Sequence, residues 1–122
     1  MTDCETTVAE LKARVARFVG ERQWKKYHKP KNLAMSIAIE AAELMELFQW
    51  LDHPGAAKAL SCKPMRQAVC HEMADILAFL LSLANAMDID LAACFSEKMD
   101  RNDAKYPASK FRGRYTRPLR KR

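Results

Sequence analysis

The sequence predicts an all-α domain: an antiparallel bundle of four main helices that oligomerises through its central helices. Two observations fix the class. The three glycines and five prolines fall mostly between periodic segments, which is where helix punctuation belongs. Within those segments apolar residues recur every three or four positions, the repeat of a helix with one buried stripe. A third observation predicts the assembly: one segment is apolar over more than one face, and such a helix needs neighbours on several sides. At 122 residues the chain is one domain, long enough for a core but small.

The first helix is predicted over Thr6–Glu21, with Val8, Leu11, Val15 and Phe18 as its stripe. A polar, aromatic link follows, from Arg22 to Asn32. Asn32 is a good N-cap residue for a second helix over Leu33–Leu51, striped by Ala34, Ile37, Ala38, Ala41, Met45 and Phe48. The breaker-rich run Asp52-His53-Pro54-Gly55 opens the connection to a third helix, Pro64 to about Met87, proline being favoured in a first turn. Its stripe is Val69, Met73, Ile76, Leu80, Leu83 and Met87. Ala74, Leu77, Ala78, Leu81 and Ala84 lie beside it and make it the over-apolar segment. Asp90 is read as the N-cap of a fourth helix, Leu91–Lys105.

The net charge of +6 belongs to the end of the chain. Residues 107–122 hold seven Lys or Arg and no acid, and the other 106 residues hold 14 basic and 15 acidic side chains. The division expected is a helical domain over 1–106 and a basic tail over 107–122. Such a tail either aids solubility or touches nucleic acid; Pro107, Gly113 and Pro118 argue against an ordered reading helix and favour solubility. No apolar run reaches the ~18 residues of a membrane span; the longest, Ile76–Ala84, reads as a buried helix segment. The start Met-Thr-Asp-Cys-Glu is no secretory signal. Cys4, Cys62, Cys70 and Cys94 show no metal-type spacing. They are read as reduced thiols of a cytoplasmic protein, with Cys70 and Cys94 as packing residues.

The chemistry lies in two acidic signatures, Glu40-x-x-Glu43 and Glu72-x-x-Asp75. Residues three apart share a helix face. With the second helix ending near Leu51 and the third starting near Pro64, Glu43 and Glu72 each lie about 12 Å from the connection. Antiparallel packing then brings Glu40, Glu43, Glu72 and Asp75 to one level. A lone E-x-x-E is most often a solvated face. Here Leu33–Leu51 contains no Lys or Arg to neutralise it. Four hard oxygen donors suit Mg²⁺, with Mn²⁺ as substitute, rather than zinc. No Glu-x-x-His occurs, which argues against a di-iron carboxylate bundle, and no Gly-rich phosphate loop occurs. His71 points about 100° from Glu72 and reads as a surface or interface residue.

Trp24, Tyr27 and His28 lie in a lysine-rich link, with Phe48 and Trp50 at the end of helix two. Such aromatics with polar neighbours form core or a slot that stacks a nucleobase. Lys98, Asn102 and Lys105 stand at helical spacing, either as a solvated basic face or as phosphate contacts.

Taken together, four blocks carry a resemblance: Trp24-x-x-Tyr27-His28-x-Pro30-Lys31-Asn32-Leu33, Glu40-x-x-Glu43-Leu-x-Glu46-Leu-Phe48-Gln49-Trp50, Glu72-x-x-Asp75, and Lys98-Met99-Asp100-x-Asn102-x-x-Lys105-Tyr106-Pro107. Over roughly Phe18–Tyr106 the chain resembles the all-α nucleoside triphosphate pyrophosphohydrolases of the MazG-like group, in its dCTP pyrophosphatase-like branch. The resemblance implies Mg²⁺-dependent hydrolysis of a nucleoside triphosphate, dCTP or a modified dNTP, to a monophosphate and pyrophosphate. It implies that Glu40, Glu43, Glu72 and Asp75 hold the metal, with Glu43 and Glu72 catalytic. Trp24, His28 and Trp50 would shape the base pocket; Asn32, Lys98, Asn102, Lys105 and Tyr106 would contact substrate. It also implies a homodimer or homotetramer. Two positions depart from some relatives: Phe79 stands where they have tyrosine and Val15 where they have histidine. The alternatives are a nucleotide sensor that does not hydrolyse, and a helical oligomer that binds nucleic acid through its tail.

Overall fold

In the computed structural model, the structure describes residues 1–114. All regular elements there are helices: α1 (Val8–Glu21), α2 (Pro30–Glu46), α3 (His53–Ala59), α4 (Lys63–Ala86), α5 (Leu91–Lys105) and α6 (Ala108–Phe111). The chain forms two compact units, Met1–Ile89 and the segment from Asp90 onward. Of the basic tail, residues 115–122 lie outside the described residues.

In the first unit α4 is the central helix, packed against both α2 and α1. α1 begins with a full capping box: Glu10 N–H donates to Thr7 Oγ1 at 3.2 Å, and Thr7 N–H donates to Glu10 Oε2 at 2.7 Å. These bonds satisfy two of the donors a helix start leaves open. α1 runs antiparallel to α4. Lys12 Nζ donates to Ile89 O at 2.7 Å and Asn85 Nδ2 donates to Lys12 O at 3.0 Å. Further along α1, Val15 and Phe18 share a cavity with Asp75 and Phe79 of α4.

α2 starts earlier than the asparagine predicts. Its N-cap is Lys29, with Pro30 in the first turn. Proline is suited to that place because it has no N–H to satisfy and its φ is already helical. Asn32, expected as the cap, sits one turn inside and donates from Nδ2 to Tyr27 O at 3.2 Å. α2 also stops at Glu46 rather than Leu51, and turns occupy Leu47–Trp50. The breaker-rich run is itself the start of a helix, α3. Asp52 caps it by accepting from Gly55 N–H at 2.7 Å. A Cβ on Gly55 would stand 2.8 Å from Asp52 Oδ1, so a side chain there would push the capping carboxylate out of place.

The buried faces differ from the predicted stripes. On α1 the buried residue is Val19, while Val8 and Phe18 are exposed. On α4 Leu81, Ser82 and Ala84 are buried, while Met73, Leu80 and Met87 of the predicted stripe are exposed. Leu33 of α2, 2% exposed, is the most buried large side chain. Cys70 and Cys94, expected in the packing, are exposed free thiols. α4 is long and apolar enough to cross a membrane by length and composition alone. It packs on two other helices instead, and carries Glu72 and Asp75 near its middle.

In the second unit Asp90 caps α5 as predicted, accepting from Ala93 N–H at 2.9 Å. Tyr106 closes α5, its N–H donating to Asn102 O at 2.8 Å. Its ring meets Phe111 of α6 edge-on at 5.2 Å.

Candidate active site

Two helices bring the acidic signatures together. Carboxylate oxygens of Glu40 and Glu43 from α2, and of Glu72 from α4, all lie within 4.8 Å of one another. Antiparallel packing makes this possible: His28, just before α2, faces Phe79 of α4, and farther along α2 Glu40 and Glu43 meet Glu72. The equal-height expectation reaches this result from wrong helix ends. Glu43 lies three residues before the end of α2, whereas Glu72 lies nine after the start of α4. Asp75 stands outside the 4.8 Å group, but its charge acts on Glu40.

The electrostatics are those of crowded anions. The Glu40 carboxyl is held above its ordinary value of 4.5, first by desolvation and then by a hydrogen bond with Glu43. The charges of Glu43, Asp75 and Glu72 add to the same direction. Burial and like charge both disfavour an ionised carboxyl. The ion pairs among the described residues, Arg22–Glu21 and Arg101–Glu97, involve none of the four acids. Glu72 Oε2 is buried and has no hydrogen-bond partner. A buried carboxylate oxygen is costly unless something cationic or protic meets it. Three carboxylates at this separation, one with an orphaned oxygen, fit a hard divalent cation. Glu40, Glu43 and Glu72 could supply it with ligands.

Beside the acids is a cavity of ≈ 490 Å³. Its walls include Val15 and Phe18 of α1, Trp24 and His28 of the link, and Ala78, Phe79 and Ser82 of α4. Asp75 lines it too, so the cavity adjoins the carboxylate cluster. The room and the mixed apolar and polar lining suit a small organic ligand. The His28 ring tilts against Phe79 with centroids 6.4 Å apart, and its Nδ1 is buried without a partner.

Trp24 reaches this wall because of how α1 ends. Trp24 N–H donates to Val19 O and Gln23 N–H to Gly20 O, both at 3.0 Å. This is the double bond pattern of a Schellman end. Gln23 occupies the left-handed position, φ 54°, that usually falls to glycine. The motif folds Trp24 back on Phe18, with ring centroids 5.7 Å apart and planes at 76°.

The remaining expected residues belong to other segments of the chain. Trp50 is 88% exposed and is not among the residues lining this cavity. Lys98, Asn102, Lys105 and Tyr106 belong to the second unit, on α5 and its C-cap. The sequence singled out Phe79 and Val15, and both are cavity walls. It missed Arg14, which also lines the cavity. Arg14 falls on the polar side of the α1 repeat, and no spacing signal marked it.

Comparison with known proteins gives a consistent picture. A model of the MazG-like family matches residues 35–116. dCTP pyrophosphatase 1 of Bos taurus is 37% identical over 110 residues, 89% of this chain and 64% of its own length. The Homo sapiens protein of the same name is 36% identical over 105 residues, 85% of this chain and 61% of its own length. The chain thus spans a little under two thirds of these curated relatives. The crystal structure of a pyrophosphatase from Archaeoglobus fulgidus superposes with a TM-score of 0.78 at 37% identity, covering 88% of this chain and 98% of that one. The family model covers most of the chain: the chain belongs to the MazG-like family.

Proposed function

We propose that this chain hydrolyses a deoxynucleoside triphosphate to the monophosphate and pyrophosphate. The observation that carries the proposal is the contiguity of the two halves of the site. Asp75 both lines the aromatic cavity and acts on the carboxylate cluster. A nucleoside triphosphate has the same two halves, a flat base and a chain of phosphates. The names and similarity of the relatives support dCTP or a modified dNTP as substrate.

In this reading the base enters the cavity beside Trp24 and His28, with Phe79 as an apolar wall. Trp50 and Asn32 are assigned to the substrate from the resemblance. So are Lys98, Asn102, Lys105 and Tyr106, whose cationic and amide groups suit phosphate oxygens. Glu40, Glu43, Glu72 and Asp75 hold Mg²⁺, or Mn²⁺ in its place. When bound there, such an ion would offset the charge of the triphosphate against the carboxylates and supply Lewis-acid polarisation of the attacked phosphorus and a water of lowered pKa. Glu43, exposed to solvent, is assigned the role of orienting or deprotonating the attacking water. The half-buried Glu72 contributes its carboxylate to the ion from α4.

The working form is a homodimer or homotetramer. Met35 and Ile39 lie one turn apart on α2, and Met73 and Leu77 one turn apart on α4, all exposed. Exposed apolar pairs on adjacent central helices are what a second copy would cover. The division into a catalytic segment, 1–106, and a basic tail, 107–122, and a place in the cytoplasm complete the proposal.

The test is a panel of dNTPs with Mg²⁺, with products separated by ion exchange. Monophosphate and pyrophosphate from dCTP or a related dNTP are expected, and EDTA should abolish turnover. A diphosphate with orthophosphate would overturn the assigned reaction. Tight nucleotide binding without any product would favour the sensor.

A further inference from the structure

Trp24 is held by more than the bend that precedes it. The Arg22 guanidinium carbon lies 3.7 Å from the centroid of the Phe18 ring. The same guanidinium donates from Nη1 to Phe18 O at 3.1 Å. Its position is therefore fixed at two points, ring and carbonyl. The same Phe18 ring meets Trp24, with centroids 5.7 Å apart. Arg22 thus lies over the Phe18 ring, Phe18 meets Trp24 edge to face, and the two aromatic residues wall the cavity. Arg22 itself does not line it. The Trp24 side chain is 42% exposed, so neighbours on its open side do not confine it. The indole meets the ring of Phe18, and that ring carries the Arg22 guanidinium.

We propose that Arg22 and Phe18 are positioning residues for substrate: the guanidinium clamps Phe18, and Phe18 holds the Trp24 indole edge-on at the wall that receives the base. The inference rests on the base-pocket reading given above. A base must stack on an indole that is already placed. If the indole is free, binding must order it, and the substrate binds more weakly by that cost. Once substrate is bound the ring is ordered in either case, so the chemical step is untouched. The signature is a change in KM with kcat preserved.

The experiment is a kinetic double-mutant cycle in the full chain with Mg²⁺ and dCTP, each variant also being melted. Loss of a part-exposed cation–π contact is worth roughly a three- to fivefold change. Arg22→Ala should raise KM by roughly that factor and leave kcat within about twofold. Arg22→Lys keeps a cation over the ring and should restore most of the loss. Phe18→Leu keeps apolar volume without the ring and should raise KM at least as much as Arg22→Ala. In a Trp24→Ala background, Arg22→Ala should change KM no further, because nothing is left to position. An equal rise of KM in that background would overturn the proposal. So would an unchanged KM for Arg22→Ala where Trp24→Ala raises it, or a fall in kcat that tracks the melting temperature. If Trp24→Ala itself leaves KM unchanged, the base-pocket assignment has failed and the clamp falls with it.

Discussion

Replacing Glu72 by Gln should stabilise the metal-free protein while destroying its response to Mg²⁺. The perturbation removes one charge and keeps nearly the same shape. Oxygens of Glu40, Glu43 and Glu72 lie within 4.8 Å of one another. Two unit charges at that separation repel by about 0.9 kcal/mol with water-like screening, and by about 3.5 kcal/mol at an effective dielectric near 20. Glu43 is exposed and the other two are half-buried, so the lower figure applies more nearly. Removing the Glu72 charge deletes two such repulsions, and physiological salt trims what remains. The net gain is about 1 kcal/mol, which for a chain of this size raises the melting temperature by about 4 °C. The new amide can also donate to the neighbouring carboxylates. Wild-type protein should gain about 2.7 kcal/mol at Mg²⁺ a hundredfold above its Kd, and the variant far less. Circular-dichroism melts in EDTA and in Mg²⁺ give all four values. If the variant melts well below wild type in EDTA, the carboxylate is a structural partner and the metal assignment is wrong.

Three further outcomes follow from the same geometry. The Glu40 carboxyl is raised above its ordinary 4.5 by desolvation and by its acidic neighbours. Its stabilising protonation is therefore complete below about pH 4.5 and lost as pH rises through the folded value. Metal-free melting temperature should fall over that interval, and a flat or rising profile would contradict the crowding. Gln23 holds a left-handed φ of 54°, so Gln23→Gly should stabilise the fold by about 1 kcal/mol in chemical denaturation; a loss would show that its side chain matters more than its backbone. Light scattering should give a dimer or tetramer, and a monodisperse monomer would refute the role assigned to exposed Met35, Ile39, Met73 and Leu77.

The fold class and the family are readable from the chain because they rest on periodicity and on motifs that are local in sequence. α1 and α5 come out within about two residues, since Thr7 and Asp90 are strong caps. The acidic cluster is legible because spacing fixes a face on each helix and antiparallel packing does the rest. The boundary errors share one cause, the competition between residues that signal the same boundary. Pro30 outranks Asn32 as the start of α2, and Asp52 turns the Pro54-Gly55 breakers into the first turn of α3. The buried faces were misjudged because an over-apolar helix has several candidate stripes. Packing on α1 and α2 decides for Leu81 and Ala84, and periodicity alone cannot. The Trp24 wall was visible as a residue type only. That it stands against Phe18 depends on Gln23 adopting a left-handed turn, which propensity disfavours.

The central claim is that the carboxylate cluster is a divalent-metal centre that drives triphosphate hydrolysis. It is tested most directly by titrating Mn²⁺ into metal-free wild type and Glu43→Gln. Bound metal is followed by electron paramagnetic resonance and dCTP turnover in the same samples. Turnover should rise in proportion to bound Mn²⁺ in the wild type, and Glu43→Gln should lose both binding and turnover. A variant that binds Mn²⁺ as tightly as wild type and still releases pyrophosphate would contradict the account.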